Sequence, residues 1–195
     1  MIQRQDYLDS LISFRDKQLI KVVTGIRRCG KSTLFELFQD YLRADGITDE
    51  QIIAVNLEEG EYDWIQNYKH LYDFVVGKLV PGKQMYTFID EVQRVTDFQK
   101  AIDSLYEKMN CDVYITGSNA HLLSGELATL LSGRYVEIKM LPLSFKEYIS
   151  NFPEDKNLER LYQSIFKAAH SHMRFKSPKP KIDGYICKAF MIQSC

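Results

Sequence analysis

A loop bounded by two glycines and followed by lysine and serine constrains this chain more than any other feature. Residues 25–32 are Gly-Ile-Arg-Arg-Cys-Gly-Lys-Ser, which fits the pattern GxxxxGK[ST] without a mismatch. A β-branched apolar run at 18–24 precedes the loop, and apolar residues at helical spacing follow it over 31–43. The sequence therefore predicts a buried strand, a tight loop and a helix, in that order.

The chemistry of such a loop follows from its glycines. They let the backbone wrap around phosphate groups, so that N–H groups point inward at the helix N-terminus. Lys31 is predicted to reach the β- and γ-phosphates of a nucleotide, and the Ser32 hydroxyl to coordinate Mg²⁺. The alternative is an ordinary glycine-rich turn. The predicted nucleotide-binding residues are Gly25, Ile26, Arg27, Arg28, Cys29, Gly30, Lys31, Ser32 and Thr33.

Two adjacent carboxylates end a later apolar run, Met-Tyr-Thr-Phe-Ile-Asp90-Glu91. Ligands of open α/β sheets bind at the carboxyl ends of the strands, where these side chains are expected. Asp90 is predicted to hold Mg²⁺, directly or through water, and Glu91 to polarise the water that attacks the γ-phosphate. An acidic exit from a strand is the alternative.

Apolar runs alternate with segments of helical spacing along most of the chain. Strands are predicted at 18–24, 51–57, 84–90, 112–116 and 134–140, and helices at 31–43, 68–79, 98–109, about 121–131 and 145–149. The alternation predicts an α/β fold with a central, mainly parallel five-stranded sheet and helices on both faces. Together with the loop at 25–32, it indicates a three-layer P-loop NTPase.

Composition excludes several other classes of protein. The 195 residues carry a net charge of −1, which gives no general attraction to nucleic acid or membrane. No apolar run approaches the ~20 residues that span a bilayer, and the first residues do not form a signal peptide. The four cysteines lack CxxC spacing, so free thiols and a cytoplasmic protein with no membrane partner are expected.

The fourth predicted strand ends in Thr-Gly-Ser118-Asn119. A polar side chain at that position could orient the attacking water or contact the γ-phosphate. A β-turn is the alternative, since glycine, serine and asparagine all favour turns.

These motifs together resemble one family. The Gly-Ile-Arg-Arg loop, the Asp-Glu strand end, Thr-Gly-Ser-Asn, Leu-Ser-Gly-Arg134-Tyr and Leu-Pro-Leu-Ser-Phe-Lys-Glu-Tyr148 are similar to the AAA+-superfamily P-loop ATP-binding proteins of bacteria and archaea. In that family an ATPase core precedes a C-terminal domain of unknown function. The resemblance covers about residues 1–165 and implies hydrolysis of Mg·ATP to ADP and phosphate, with DNA or a protein as the client.

The resemblance also implies roles for single residues. Ser118 or Asn119 would be the sensor 1 residue, and Asn56 would restrain Glu91, although Asn56 could simply cap a strand. Arg134 falls near the arginine finger of related ATPases, or is an ordinary solvated arginine. Because such an arginine is often supplied in trans, its role would make the active form a homo-oligomer.

The end of the chain departs from the family. We expect an ATPase domain over 1–165 and an atypical basic tail over 166–195, where two prolines and no helical period occur up to Lys181. Family members continue for roughly as long again, so a truncation or frameshift is expected.

Three functions remain open at this point. An ATPase that drives conformational work is the first, and a nucleotide-gated binding module with little turnover is the second. A small-molecule P-loop kinase is the third, but such kinases usually need an arginine-rich lid, and residues 121–150 contain none. No Asn-Lys-x-Asp motif is present for reading guanine.

Overall fold

The computed structural model describes residues 4–108, 110–117, 131, 133–144 and 147. The chain forms two compact units, residues 4–141 and a second unit of 1–3 with 142–195. In the second unit, the Ser144 amide donates to Glu147 Oε2 at 2.7 Å and the Glu147 amide donates to Ser144 Oγ at 3.2 Å. This reciprocal pair is the pattern of a helix capping box.

Five parallel strands form the sheet of the first unit. They are β1 (Ile20–Gly25), β2 (Ile52–Asn56), β3 (Met85–Asp90), β4 (Cys111–Gly117) and β5 (Tyr135–Met140). Their order across the sheet is β2-β3-β4-β1-β5, and every neighbouring pair is parallel. The carboxyl ends of β3, β4 and β1 therefore lie side by side at one edge. The predicted α/β fold with a five-stranded parallel sheet is confirmed.

Four α-helices accompany these strands in the described part of the chain. They are α1 (Gln5–Phe14), α2 (Lys31–Ala44), α3 (Tyr68–Val76) and α4 (Phe98–Tyr106). The sequence predicted α2, α3 and α4 but not α1, although Leu8, Leu11 and Ile12 have helical spacing. The helices predicted at about 121–131 and 145–149 lie outside the described residues, apart from 131 and 147. No helix in the described part of the chain is long and apolar enough to cross a membrane.

The sheet buries both of its faces. Val22 and Ile115 belong to the core that α3 and α4 cover, whereas Val23 and Tyr114 belong to the core that α1 and α2 cover. Neighbouring residues alternate between the two cores because successive side chains of a strand point to opposite faces. The three inner strands β1, β3 and β4 are consequently buried along their whole length, as parallel strands covered on both sides are.

A buried ion pair joins β1 to β4 near their amino ends. Lys21 Nζ contacts Asp112 Oδ1, and the two side chains are 0% and 3% exposed. Asp112 Oδ2 also accepts hydrogen bonds from the Tyr114 hydroxyl at 2.7 Å and the Asp16 amide at 3.0 Å. Desolvation lowers the pKa of Lys21 and raises the pKa of Asp112, because burial penalises both charged forms.

Lys21→Met should destabilise the fold by about 3–5 kcal/mol, because it leaves the Asp112 charge buried without a counter-ion. Urea unfolding followed by circular dichroism measures the loss. The double variant Lys21→Met/Asp112→Asn removes the buried charge and should recover part of it. A loss below about 1 kcal/mol in the single variant would mean that water screens this pair, as at an exposed site.

Candidate nucleotide site

The predicted phosphate-binding loop lies between β1 and α2, at the carboxyl edge of the sheet. A Cβ atom on Gly25 would lie 2.5 Å from the Met140 carbonyl oxygen and 2.6 Å from Cys29 Sγ, so only glycine fits there. Gly30 caps α2 with a left-handed φ of 96°, which glycine adopts without strain. The two glycines of the motif are thus required by close packing at one end of the loop and by backbone conformation at the other.

Lys31 lies over its own loop. Its side chain is buried, and Nζ lies 3.4 Å from the carbonyl oxygens of Gly25 and Ile26. Nζ also lies 3.2 Å from Glu91 Oε1. The structure therefore brings the lysine of the first motif and the glutamate of the second into direct contact across the edge of the sheet.

Thr116 of β4 lies between β1, which precedes the phosphate-binding loop, and β3, which ends at Asp90. Its hydroxyl donates to Asp90 Oδ1 and accepts a hydrogen bond from the Glu91 amide at 3.0 Å. Thr116 is fully buried, and Asp90 is 5% exposed. Because β4 lies between β1 and β3, this hydroxyl fixes the Asp90 carboxylate next to the phosphate-binding loop.

Glu91 adopts an unusual backbone conformation, with φ 55° and ψ 47°. Such left-handed geometry is uncommon for residues other than glycine and often occurs at functional sites. The Glu91 side chain is largely buried; its Oε1 meets Lys31, and its Oε2 accepts a hydrogen bond from Gln93 Nε2. Both carboxylate oxygens are thus held by donors from different segments.

The remaining loop residues divide into exposed and buried groups. Ile26, Arg27, Arg28 and Ser32 are exposed, Thr33 is half-buried, and Cys29 is buried. Arg27 pairs with Glu58 at 2.7 Å, a solvated contact worth about 0–1 kcal/mol. Burial raises the pKa of the Cys29 thiol, which disfavours the reactive thiolate. The exposed residues place one side of the loop at the surface of the described structure.

Arg4 supports the phosphate-binding loop through a contact that no sequence pattern predicts. Its side chain is buried, and Nη1 donates to the carbonyl oxygens of Cys29 at 3.2 Å and Leu141 at 2.6 Å. Its guanidinium also lies 4.5 Å from the centre of the Tyr7 ring. The segment before α1 thus ties the phosphate-binding loop to the residue that follows β5.

Asn56, the predicted restraint on Glu91, contacts other residues in this structure. Its Nδ2 donates to Glu59 Oε1 at 3.0 Å, and its Oδ1 accepts from the Glu58 amide at 3.0 Å. These bonds stabilise the turn after β2, and it is Gln93 that donates to Glu91. A switch role for Asn56 stays a prediction.

Arg134 lies at the opposite edge of the sheet from this chain's own loop. The Ile20 amide donates to the Arg134 carbonyl at 2.8 Å, so Arg134 stands beside the amino end of β1. Five residues of β1 then separate it from Gly25, a distance of about 16 Å along the strand. Its guanidinium pairs with Asp103 at 2.6 Å and lies over the Tyr106 ring. An arginine-finger role, still a prediction, could be exercised only at another copy's site.

Ser118 and Asn119, the predicted sensor residues, lie outside the described part of the chain. The described residues contain no group of three or more histidine, cysteine or acidic side chains that could hold a metal ion by themselves. Mg²⁺ does not need such a group, because it usually keeps several waters and binds one or two carboxylates plus substrate phosphates. Ser32 and Asp90, both at the carboxyl edge, fit that requirement.

Comparison with known proteins finds relatives in bacteria and archaea. An uncharacterised protein of Haemophilus influenzae is 49% identical over 178 residues, which cover 91% of this chain and 44% of the relative. An uncharacterised protein of Methanocaldococcus jannaschii is 33% identical over 156 residues, covering 76% of this chain and 32% of the relative. The chain thus spans less than half the length of either relative.

Structural and family comparisons agree on the fold. The crystal structure of RIF2 from Saccharomyces cerevisiae superposes with a TM-score of 0.51 at 13% identity, covering 88% of this chain and 71% of RIF2. The model of the AAA domain family matches residues 17–149, which include every described strand and the phosphate-binding loop. The chain belongs to the AAA domain family and carries an AAA+-type, nucleotide-binding ATPase-like core.

Proposed function

We propose that this chain binds Mg·ATP at the carboxyl edge of its sheet and hydrolyses it to ADP and phosphate, driving conformational work on a client. The observation that carries the proposal is the 3.2 Å contact between Lys31 and Glu91. It joins a phosphate-binding cation and a carboxylate suited to activating water in one site.

Phosphate binding follows from the loop and the first turn of α2. The N–H groups of Lys31, Ser32 and Thr33 have no acceptor within α2, because the carbonyl groups four residues earlier lie outside the helix. They and the positive end of the helix dipole favour an anion at this point. The Lys31 ammonium adds a full charge. Ser32 and Asp90 would hold Mg²⁺, which neutralises charge on the phosphate oxygens.

Hydrolysis requires a base for the attacking water, and Glu91 is the carboxylate in position to serve. Its carboxylate would take the proton as the water oxygen bonds to the γ-phosphorus and the bond to the ADP oxygen breaks. In the structure Glu91 is ion-paired with Lys31, the same cation that a phosphate attracts. Nucleotide binding would therefore draw Lys31 away and leave the carboxylate available to water.

The same ion pair favours a second candidate function, a nucleotide-gated binding module with little turnover. A base that is neutralised by Lys31 and held by Gln93 could report bound nucleotide without catalysing efficiently. The two functions differ in whether changing the Glu91 carboxylate alters the rate of phosphate release. The client, DNA or a protein, stays a prediction from family resemblance.

Lys31→Ala should weaken Mg·ATP binding by about 10- to 150-fold, since a charge-assisted contact to phosphate contributes ~1.5–3 kcal/mol. Isothermal titration calorimetry with a non-hydrolysable ATP analogue measures this. Lys83→Ala is the matched control, because Lys83 pairs with Glu50 away from the loop. Equal affinities for Lys31→Ala and the natural chain would refute the phosphate-binding assignment. Thermal melts of both variants show whether a loss of binding reflects unfolding.

A further inference from the structure

The turn that follows Glu91 is fixed on both sides. Residues Val92–Arg94 form a single 3₁₀ turn, and Val92 and Val95 are buried in the core at 0% and 2% exposure. Arg94 Nη1 donates to the Leu57 carbonyl oxygen at 2.8 Å, which ties the turn to the end of β2. Gln93 therefore projects from a backbone that has little freedom to move relative to the sheet.

From this turn the Gln93 side chain returns to Glu91. Its Nε2 donates to Glu91 Oε2. The direction of this bond follows from chemistry, since an ionised carboxylate can only accept and the amide oxygen cannot donate. The hydrogen bond thus fixes which way round the Gln93 amide lies.

The oxygen of the same amide finds no hydrogen-bond donor in the described part of the chain. Gln93 Oε1 is buried and has no hydrogen-bond partner among the described residues. Leaving a buried acceptor unpaired costs free energy, so a glutamine kept only for stability would be poorly placed here. Among the described residues, the Gln93 amide thus donates to Glu91 while its oxygen accepts no hydrogen bond.

The contact gains importance when Lys31 is drawn to phosphate. Glu91 then loses the partner of Oε1, and the bond from Gln93 to Oε2 is the remaining side-chain contact that the described residues provide. Asn56 does not provide one, because its amide is bonded to Glu59. A carboxylate free to change rotamer would meet the attacking water less often in the required geometry.

We propose that Gln93 is the positioning residue for Glu91, holding the carboxylate toward the attacking water once Lys31 has turned to the nucleotide. The inference rests on the proposed function, and its test separates the two. The readout is the single-turnover rate of γ-phosphate release from labelled Mg·ATP with protein in excess. The affinity for a non-hydrolysable analogue is measured in parallel.

Gln93→Met keeps the length of the side chain and removes the donor, and Gln93→Glu keeps its shape and places a second carboxylate against Glu91. Both should lower the single-turnover rate by about 10- to 100-fold, as misplacement of a catalytic group does. For Gln93→Met the affinity should stay within about twofold of the natural chain, because a contact made to the base affects rate and not binding. Gln93→Glu should also weaken binding, because the added carboxylate repels the phosphates. Gln99→Met, on α4, should change neither quantity.

Three results would overturn the inference. Gln93→Met at the natural rate, with Glu91→Gln inactive, would leave the proposed function standing and remove Gln93 from it. A parallel loss of affinity and rate in Gln93→Met would assign the residue to the structure of the site. A natural chain no faster than Glu91→Gln would refute the proposed role of Glu91, and the role of Gln93 with it.

Discussion

Glu91→Gln should lower the rate of ATP hydrolysis by about 10²- to 10⁴-fold, the contribution that a positioned general base typically makes. The amide preserves the size of the side chain but cannot accept the proton of the attacking water. The rate is measured as single-turnover phosphate release. Glu36→Gln, an exposed change on α2, is the control and should leave the rate unaltered.

The same variant should bind Mg·ATP at least as tightly as the natural chain. Lys31 Nζ lies 3.2 Å from the Glu91 carboxylate, so a nucleotide would have to compete with Glu91 for Lys31. Glutamine removes that competing charge and its repulsion of the phosphates. Hydrolysis at the natural rate would show that Glu91 is not the base and would favour the binding-module function. Weaker binding by Glu91→Gln would contradict the expected competition between Glu91 and the nucleotide for Lys31.

The sequence predicted the edge of the sheet at which the candidate site lies, because two of its motifs each follow a strand and therefore lie at a carboxyl end. The loop at 25–32 requires a strand before it and a helix after it, and both are present. The apolar run ending in Asp90 and Glu91 predicts a buried strand, and the carboxyl ends of such strands are where open α/β sheets bind ligands. In a parallel sheet these ends meet at one edge, which the structure confirms for β1 and β3.

The supporting contacts could not be predicted, since they depend on long-range order. Thr116 acts between Asp90 and the Glu91 amide only because β4 lies between β3 and β1, and strand order is not encoded in any local pattern. The bond from Gln93 depends on the left-handed backbone of Glu91, which no local sequence pattern predicts. Arg4 acts through a carbonyl 25 residues away. No spacing rule relates these residues.

The position of Arg134, in contrast, could have been inferred from the sequence. It immediately precedes β5, and in a parallel sheet the residue before a strand lies at the amino edge. The phosphate-binding loop follows a strand and lies at the carboxyl edge. These two facts already place Arg134 about one strand length from its own site, so a role in hydrolysis implies a second copy of the chain.

Arg134→Ala should therefore lower turnover by about 10³- to 10⁵-fold at protein concentrations where the natural chain assembles, the range found for arginines supplied in trans. Breaking the present contact of Arg134 with Asp103, so that Arg134 can act at another copy's site, requires little free energy. Its pair with Asp103 is exposed by 43% and 42%, and exposed pairs contribute only about 0–1 kcal/mol. Affinity for Mg·ATP should not change, since Arg134 lies away from its own loop. Arg43→Ala, an exposed arginine paired with Asp49, is the control.

Mixing two inactive variants tests the trans arrangement directly. Lys31→Ala lacks the phosphate contact but retains Arg134, whereas Arg134→Ala retains a complete loop. In a mixed assembly, a Lys31→Ala copy can present its Arg134 to the intact loop of an Arg134→Ala copy, and part of the natural rate should return. Turnover of the natural chain should also rise more steeply than its concentration. No recovery on mixing, together with turnover proportional to concentration and unaffected by Arg134→Ala, would show that one subunit suffices and that Arg134 serves its contact with Asp103.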